Sequence, residues 1–557
     1  MRRAALIVAA LATQLPTTAC RSGPVAVATA APPAADDAIV ARGILRRDGE
    51  RIVDAAGQPV RWRGVAFGNQ VWSNVPLPLA HHDEADYQRV RAIGMNTVRF
   101  YMHYRTFEDD RAPGVFKPAG WQWLDRNVAW ARRHGVYLIL NMHVPPGGYQ
   151  SNAEGKGLWQ GTANQDRLAA LWRAIAQRYA NEPVIAGYDI LNEPGVPTAR
   201  AQWQALATRL TAAIRQVDPR HIIIVERVNA VGKEWRNDSE LNFVVVDDPN
   251  VVYTFHFYDP LTYTHQFAHW VSMGEGGAWP DDGKVGRPEY AAWTTVASFP
   301  SARLPAGDSG WTHAETKPST GNNPRALVGR ISLVGNRLGG GRAVFDDVTV
   351  TERDGRGAQV GKAVLIDLDK LGGWVFWSKD GGGRNSRTSE GHDDQGALTI
   401  EATTDEAHLG GAQHEIVLHP GHSYTVGGWM RGERLPPDAA VHIRFELIDT
   451  DGPLHGWNKQ LLRTLLDGYV AWGHARGVPL FLGEFGVHRP CFESGRGGLT
   501  WVADMLDLLD ERGLPFTYHD YHGDSFGLYR GGGRVDPTRA NHELIDLFKR
   551  KLANHPQ

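Results

Sequence analysis

The sequence predicts an α/β chain, a (β/α)8 TIM barrel with an all-β sandwich inserted between barrel strands 6 and 7. Three observations lead there. Eight strand-like apolar runs recur along the chain, mostly separated by helical patterns such as "QDRLAALWRAIAQRYA". The runs are continuously apolar rather than alternating, as strands buried on both faces of a parallel sheet are. After the sixth run the alternation lapses for roughly 190 residues, where one barrel unit needs only about 40, and the intervening text is rich in Gly and turn dipeptides.

Taken in order, "MRRAALIVAALATQLPTTACRSG" has two arginines, a short apolar run and small residues ending at Cys20. That is the layout of a bacterial secretion signal, too short for a stable spanning helix. The residues before Cys20 resemble a lipobox, so the expectation is an exported protein, lipid-anchored at Cys20 or else secreted. Residues 21–42, with "GPVAVATAAPPAADDA", are expected to be a Pro/Ala-rich linker without a core. The other cysteine, Cys491, stands alone, so no disulfide framework is expected.

The barrel is expected over 43–308 and 451–557. It opens with short strand-like runs turning at Asp48-Gly49 and Ala56-Gly57. The eight runs are "RWRGVAF", "NTVRFY", "VYLILNMH", "VIAGYDILNEP", "HIIIVERV", "VVYTFHFY", "PLFLGEFG" and "PFTYHDYHG". Between the sixth and seventh, residues 309–450 read as a β-sandwich, with "RAVFDDVTVTE", "GALTIEATT" and "AVHIRFELI" as short alternating strands.

The tripeptide Asn-Glu-Pro occurs twice within sixteen residues. Leu168, Leu171, Trp172, Ile175 and Tyr179 fall at helical spacing, so Asn181-Glu182-Pro183 ends a helix before the next strand. Asn192-Glu193-Pro194 follows the apolar run Val184 to Leu191, at the carboxyl end of that strand, where barrel active sites are built. Glu193 is therefore the candidate for chemistry, and Glu182 belongs on the opposite rim.

Other strand ends carry polar groups at the matching place: Arg99, His143, His256, Tyr258 and Glu484. Two carboxylates at one mouth suit glycosidic hydrolysis, in which one acid protonates the leaving oxygen and the other carboxylate attacks or activates water. Glu193 and Glu484 fit those roles. Asn192 could hold a sugar hydroxyl, Arg99 and Tyr258 could hydrogen-bond the second carboxylate, and His143 and His256 would line the sugar subsite. The 23 histidines show no HExxH, and no cysteines pair, so neither metal nor cofactor is expected. With 59 basic against 62 acidic residues, nucleic acid is not the expected partner.

Through "YDILNEP" and "FLGEFG" the chain resembles glycoside hydrolase family 5, the cellulase family, over Gly43 to about Phe267 and about Gly456 to the end. The resemblance implies a retaining mechanism with Glu193 as acid/base and Glu484 as nucleophile, and it matches Arg99, His143, Asn192, His256 and Tyr258 to the family's remaining active-site positions. At the end of the eighth strand, where the family carries Trp, this chain has His519. The insert resembles a jelly-roll carbohydrate-binding module in permuted order. Trp374, Trp377 and Trp429 could stack sugars there or pack its core, and Asp346-Asp347 could help hold calcium or form a solvated turn.

The expected protein is thus an exported, monomeric retaining β-glycosidase, first of all a cellulase-like endoglucanase, with a polysaccharide or oligosaccharide as its partner. An exo-β-glucosidase, a β-mannanase and a non-catalytic carbohydrate-binding protein are the alternatives.

Overall fold

The computed structural model describes residues 35–553, apart from 74, 80, 152–154, 233–236, 272, 287–293, 321–325, 327, 367, 369–373, 380, 394–395, 412–415, 450–454 and 494. The expected signal and Cys20 lie outside the described residues. So does most of the expected linker, but its end is not a free tether: Ala35–Arg42 is a helix (α1) whose Ile39 is buried in the barrel's hydrophobic cluster. The Pro/Ala composition of the preceding stretch hid Ile39, the residue that anchors it.

A hairpin, Arg46–Asp48 with Arg51–Val53, turns at Asp48-Gly49. The barrel strands follow: β1 Arg63–Phe67, β2 Thr97–His103, β3 Tyr137–Val144, β4 Ile185–Asp189, β5 Ile222–Glu226, β6 Val251–Phe257, β7 Leu480–Phe485 and β8 Phe516–Tyr518. They pair in parallel in sequence order and close as β8 meets β1, giving a (β/α)8 TIM barrel. Every residue of β3, β5 and β7 is buried, which is why these runs carry no polar alternation. Helices α2 (Glu84–Ile93), α3 (Pro118–Arg133), α4 (Ala163–Tyr179) and α5 (Arg200–Arg215) cover the outside. The predicted stripe Leu168, Leu171, Trp172, Ile175 and Tyr179 is the buried face of α4, each large apolar side chain contributing about 1.5–3 kcal/mol over exposure.

The insertion leaves after β6. Asp281–Gly286 and His455–Trp457 pair antiparallel as a two-stranded stem, and α6 (Lys459–Arg476) then completes the sixth barrel unit. Beyond the stem stand two antiparallel sheets. One runs in the order 294–300, 440–449, 328–336, 407–411 and 374–378; the other 312–315, 423–433, 342–353, 397–401 and 384–388. Ile331, Leu333, Phe345, Ile400, Leu409, Val426, Ile443 and Phe445 are buried in the cluster they share. The sheets begin at Thr294, upstream of the expected 309, because Thr294–Pro300 pairs with Arg444–Asp449. Its run "TTVASFP" has too few large apolar residues to stand out as a strand.

Within the insert Trp374 is buried, Trp377 is 44% exposed, and Trp429 is half-buried beneath the ring of His392 at 3.8 Å. Asp346 accepts from the backbone N–H groups of Asp347 and His392, while Asp347 faces the His392 ring at 3.0 Å. Cys491 is buried and free. After β7, α7 (Gly498–Glu511) precedes β8, and α8 (His542–Leu552) ends the described fold. Among the described residues no helix is long and apolar enough to cross a membrane.

Candidate active site

The carboxyl ends of the strands bring a charged network to one mouth. Arg99, from the middle of β2, is fully buried, a position that an unpaired cation could not hold. Its Nε donates to Asp189 Oδ2 at 2.8 Å, one Nη to Glu484 Oε1 at 2.5 Å, and the other to Asn192 Oδ1 at 2.9 Å. One guanidinium thereby fixes the ends of β4 and β7 relative to each other, using the planar fork that Arg offers and Lys lacks.

Glu484 receives three donors. Beside Arg99, the hydroxyl of Tyr101 donates to Oε1 at 2.5 Å and that of Tyr258 to Oε2 at 2.8 Å. Burial alone would raise its pKa; the positive potential of His256, His519 and Arg99 outweighs that and holds the carboxyl well below its usual range. A register shift in the β6–β7 pairing helps aim it: Phe255 faces Leu482 and His256 faces Glu484, with Gly483 as the extra residue. A Cβ on Gly483 would stand 2.7 Å from Thr254 Oγ1, so the bulge requires glycine here.

Glu193 sits just beyond β4 at φ 43°, a left-handed conformation uncommon for a non-glycine residue. Its backbone N–H is anchored by Glu226 Oε2 at 2.9 Å, and its Oε1 meets Nδ1 of His256 at 2.8 Å. That nitrogen also lies 3.5 Å from Glu484 Oε2, so His256 stands between the two candidate carboxylates. Burial on its own lowers the pKa of His256, but Glu226, Glu484 and Glu193 raise it to about 9. Burial pushes Glu226 up to about 8.

The predicted residues converge. His143, Glu193, His256, Tyr258, Glu484 and His519 line one cavity of about 980 Å³, and Arg99 and Asn192 are bonded beneath its floor. His143 stacks on Tyr101 at 4.0 Å and takes Asn141 Oδ1 on Nδ1. His519 Nδ1 lies 3.1 Å from the Tyr101 hydroxyl. Asn192 is tied at both ends, its Oδ1 by Arg99 and its Nδ2 to Ser151 Oγ at 3.2 Å. Glu182 lies at the other rim, paired with Arg132.

Sequence reasoning missed Tyr101, Asp189, Glu226 and Trp72. Tyr101 was signalled, being two residues beyond Arg99 and so on the same strand face; Glu226, closing "IIIVE", was signalled by a lone charge in an apolar strand. Glu193, Glu226 and His256 each offer a ligand atom within 4.8 Å of the others.

The eight-stranded parallel barrel thus sets two glutamates on either side of one histidine at a single mouth. Residues 53–293 match the family model Cellulase (glycosyl hydrolase family 5). Endoglucanase C of Acetivibrio thermocellus is 31% identical over 212 residues, covering 37% of this chain and 60% of its own length. A beta-xylosidase of Phanerodontia chrysosporium is 36% identical over 151 residues, 26% of this chain and 31% of the relative. Thermotoga maritima Cel5A in complex with mannotriose superposes with a TM-score of 0.46 at 16% identity, over 88% of this chain and 97% of that one. The chain thus spans under two thirds of the length of the curated relatives it matches.

Proposed function

We propose that this chain is a retaining glycoside hydrolase that cleaves a β-linked glucan, endoglucanase-like in its preference. Glu484 is the nucleophile and Glu193 the acid/base. The observation that carries this reading is the shared nitrogen of His256, 2.8 Å from Glu193 Oε1 and 3.5 Å from Glu484 Oε2. The nearest oxygens of the two groups therefore lie no further apart than those two spans laid end to end. Retaining pairs stand about 5–5.5 Å apart and inverting pairs roughly 6.5–9.5 Å, and one ring nitrogen within reach of both carboxyls favours the closer class.

The chemistry follows from the charges. Glu484, kept ionised by Arg99, Tyr101 and Tyr258, attacks the anomeric carbon as the glycosidic C–O bond breaks. Glu193 gives its proton to the leaving oxygen, and the glycosyl group is left bound to Glu484. Glu193, now ionised, takes a proton from water as that water displaces Glu484, and both carboxyls return to their starting states. The endoglucanase first choice rests on the names of relatives such as Endoglucanase C. Export, with Cys20 lipidated, and a carbohydrate-binding insert belong to the same proposal.

Proton NMR of the first product from a β-1,4-glucan tests it. A β-anomer formed first is the expected result. An initial α-anomer would remove Glu484 from the nucleophile role.

A further inference from the structure

The inserted sandwich carries a side-chain cluster that the reaction does not use. Strand Arg342–Arg353 brings Glu352 opposite Tyr424 of strand Ser423–Glu433. Immediately before that second strand the chain reads His419-Pro420-Gly421-His422. The N–H of His422 donates to the carbonyl of His419 at 3.2 Å and Gly421 has φ 81°, so the four residues form a tight turn with glycine where the backbone is left-handed. The turn sets two imidazoles side by side, their ring centres 5.5 Å apart.

Both rings reach one atom. Nδ1 of His419 lies 2.7 Å and Nδ1 of His422 2.6 Å from Glu352 Oε1, and the hydroxyl of Tyr424 donates to the same oxygen at 2.9 Å. A carboxylate that only anchored a turn has two oxygens and about four lone-pair sites over which to spread its partners. Here three groups converge on a single point, as ligands do around an ion. Tyr424 is itself oriented, because its oxygen accepts the backbone N–H of His419 at 2.7 Å, which leaves its proton for Glu352. Ligating carboxylates in metal sites are steadied by an outer hydrogen bond of this kind.

The donor set selects the metal. Among the described residues three groups of side chains could hold an ion, and this is the one with two imidazoles. Glu193, Glu226 and His256 belong to the barrel mouth; Asp347 and Asp393 accompany a single histidine, His392, whose ring is stacked on Trp429. Two imidazole nitrogens with one carboxylate suit zinc or a neighbouring transition metal, whereas calcium and magnesium take oxygen ligands. Ligand atoms around tetrahedral zinc stand about 3.3 Å apart, at metal–ligand lengths of about 2.0–2.2 Å, so each ring has to draw back from Oε1 by less than about 1 Å. His419 has the room, its side chain being 58% exposed.

We infer that His419, His422 and Glu352 bind a zinc-type divalent transition-metal ion, which clips the 419–422 turn to the end of strand Arg342–Arg353. None of the three lines the cavity at the barrel mouth, so the ion holds the insert together and takes no part in hydrolysis.

The test titrates zinc alone into the untagged full chain, freed of metal by chelation, with His419→Ala, His422→Ala, Tyr424→Phe and Glu193→Gln in parallel. Calorimetry reads the affinity, and thermal melting with and without zinc reads the fold. Wild type should bind one zinc ion and melt higher with it. His419→Ala and His422→Ala should each weaken binding by roughly a hundredfold or more and lose the zinc-dependent rise, while Tyr424→Phe, which keeps all three ligands, should weaken it by roughly ten- to hundredfold. Glu193→Gln, in the cluster at the barrel mouth, should bind zinc as wild type does. Because the His419 side chain is exposed, its replacement should leave the metal-free melting temperature in place and decide the question even where His422→Ala fails to fold. Zinc affinity that is unchanged in His419→Ala, that falls only in Glu193→Gln, or that calcium matches overturns the site, as does a wild type that does not bind zinc.

Discussion

The backbone N–H of Glu193 donates to Oε2 of Glu226 at 2.9 Å, while Oε1 of that same carboxyl lies 3.3 Å from Nε2 of His256. Glu226 thus holds both the strained backbone of one candidate catalytic residue and the ring that bridges to the other. Replacing it with Ala should free Glu193 from its left-handed conformation and lower kcat by about 10²-fold, the usual consequence of a small misplacement of a reacting group. Glu226→Gln keeps an acceptor for the N–H and should lose less. Steady-state kinetics with melting curves would separate this from unfolding.

The same pair sets the alkaline limb. His256 and Glu226, raised to about 9 and about 8, hold their protons at neutral pH and lose them as pH rises through that window. Negative charge then gathers beside Glu484, so activity should fall between about pH 8 and 9. Glu226 is the largest of the carboxylates raising His256, so in Glu226→Gln the limb should begin at lower pH. A limb that stays in place, measured as kcat/KM against pH, would detach it from this pair.

Glu193→Gln and Glu484→Gln should each reduce turnover by several orders of magnitude. Glu182→Gln should leave it nearly unchanged, since Glu182 only pairs with Arg132 and caps the Val184 N–H at the far rim; its stability cost should be about 1 kcal/mol or less. A Glu182 variant as inactive as the others would undo the assignment of the two tripeptides.

Gly483→Ala should act through geometry alone. The added methyl meets Thr254 Oγ1 and, at 3.2 Å, the ring of His256. The expected outcome is a protein destabilised by about 1–3 kcal/mol whose kcat falls by roughly tenfold or more. Retained full activity would show that the bulge does not aim Glu484.

If Cys20 carries a lipid, Cys20→Ala should move the protein from the membrane fraction to the soluble fraction. Wild-type protein already soluble after fractionation would refute the anchor.

The barrel was legible because apolar strand runs and helix stripes are set by burial, which leaves its period in the residue types. Glu193 and Glu484 were legible because each closes an apolar strand. Glu226 closes one too, and its lone charge was the signal, but what it does there, holding His256 and the Glu193 backbone, depends on partners distant in sequence. Thr294–Pro300 was missed because its strand identity comes from pairing with Arg444–Asp449, which follows it by about 150 residues, a reach that local propensity does not carry.

The stem between barrel and insert has a kinetic side. Strands β6 and β7 are neighbours, with Tyr253 beside Leu480, yet the chain makes its whole excursion through the sandwich between them. If that excursion were still a loose coil when the barrel closed, tying its ends together over roughly 170 residues would cost about 3 kcal/mol more than closing a short turn. A sandwich already folded holds Gly286 opposite His455 and presents the barrel with a ready-made short turn. The order of assembly that favours fast folding is therefore insert first and barrel second, with the outgoing half of the catalytic domain waiting, unsealed, for its own insertion to finish.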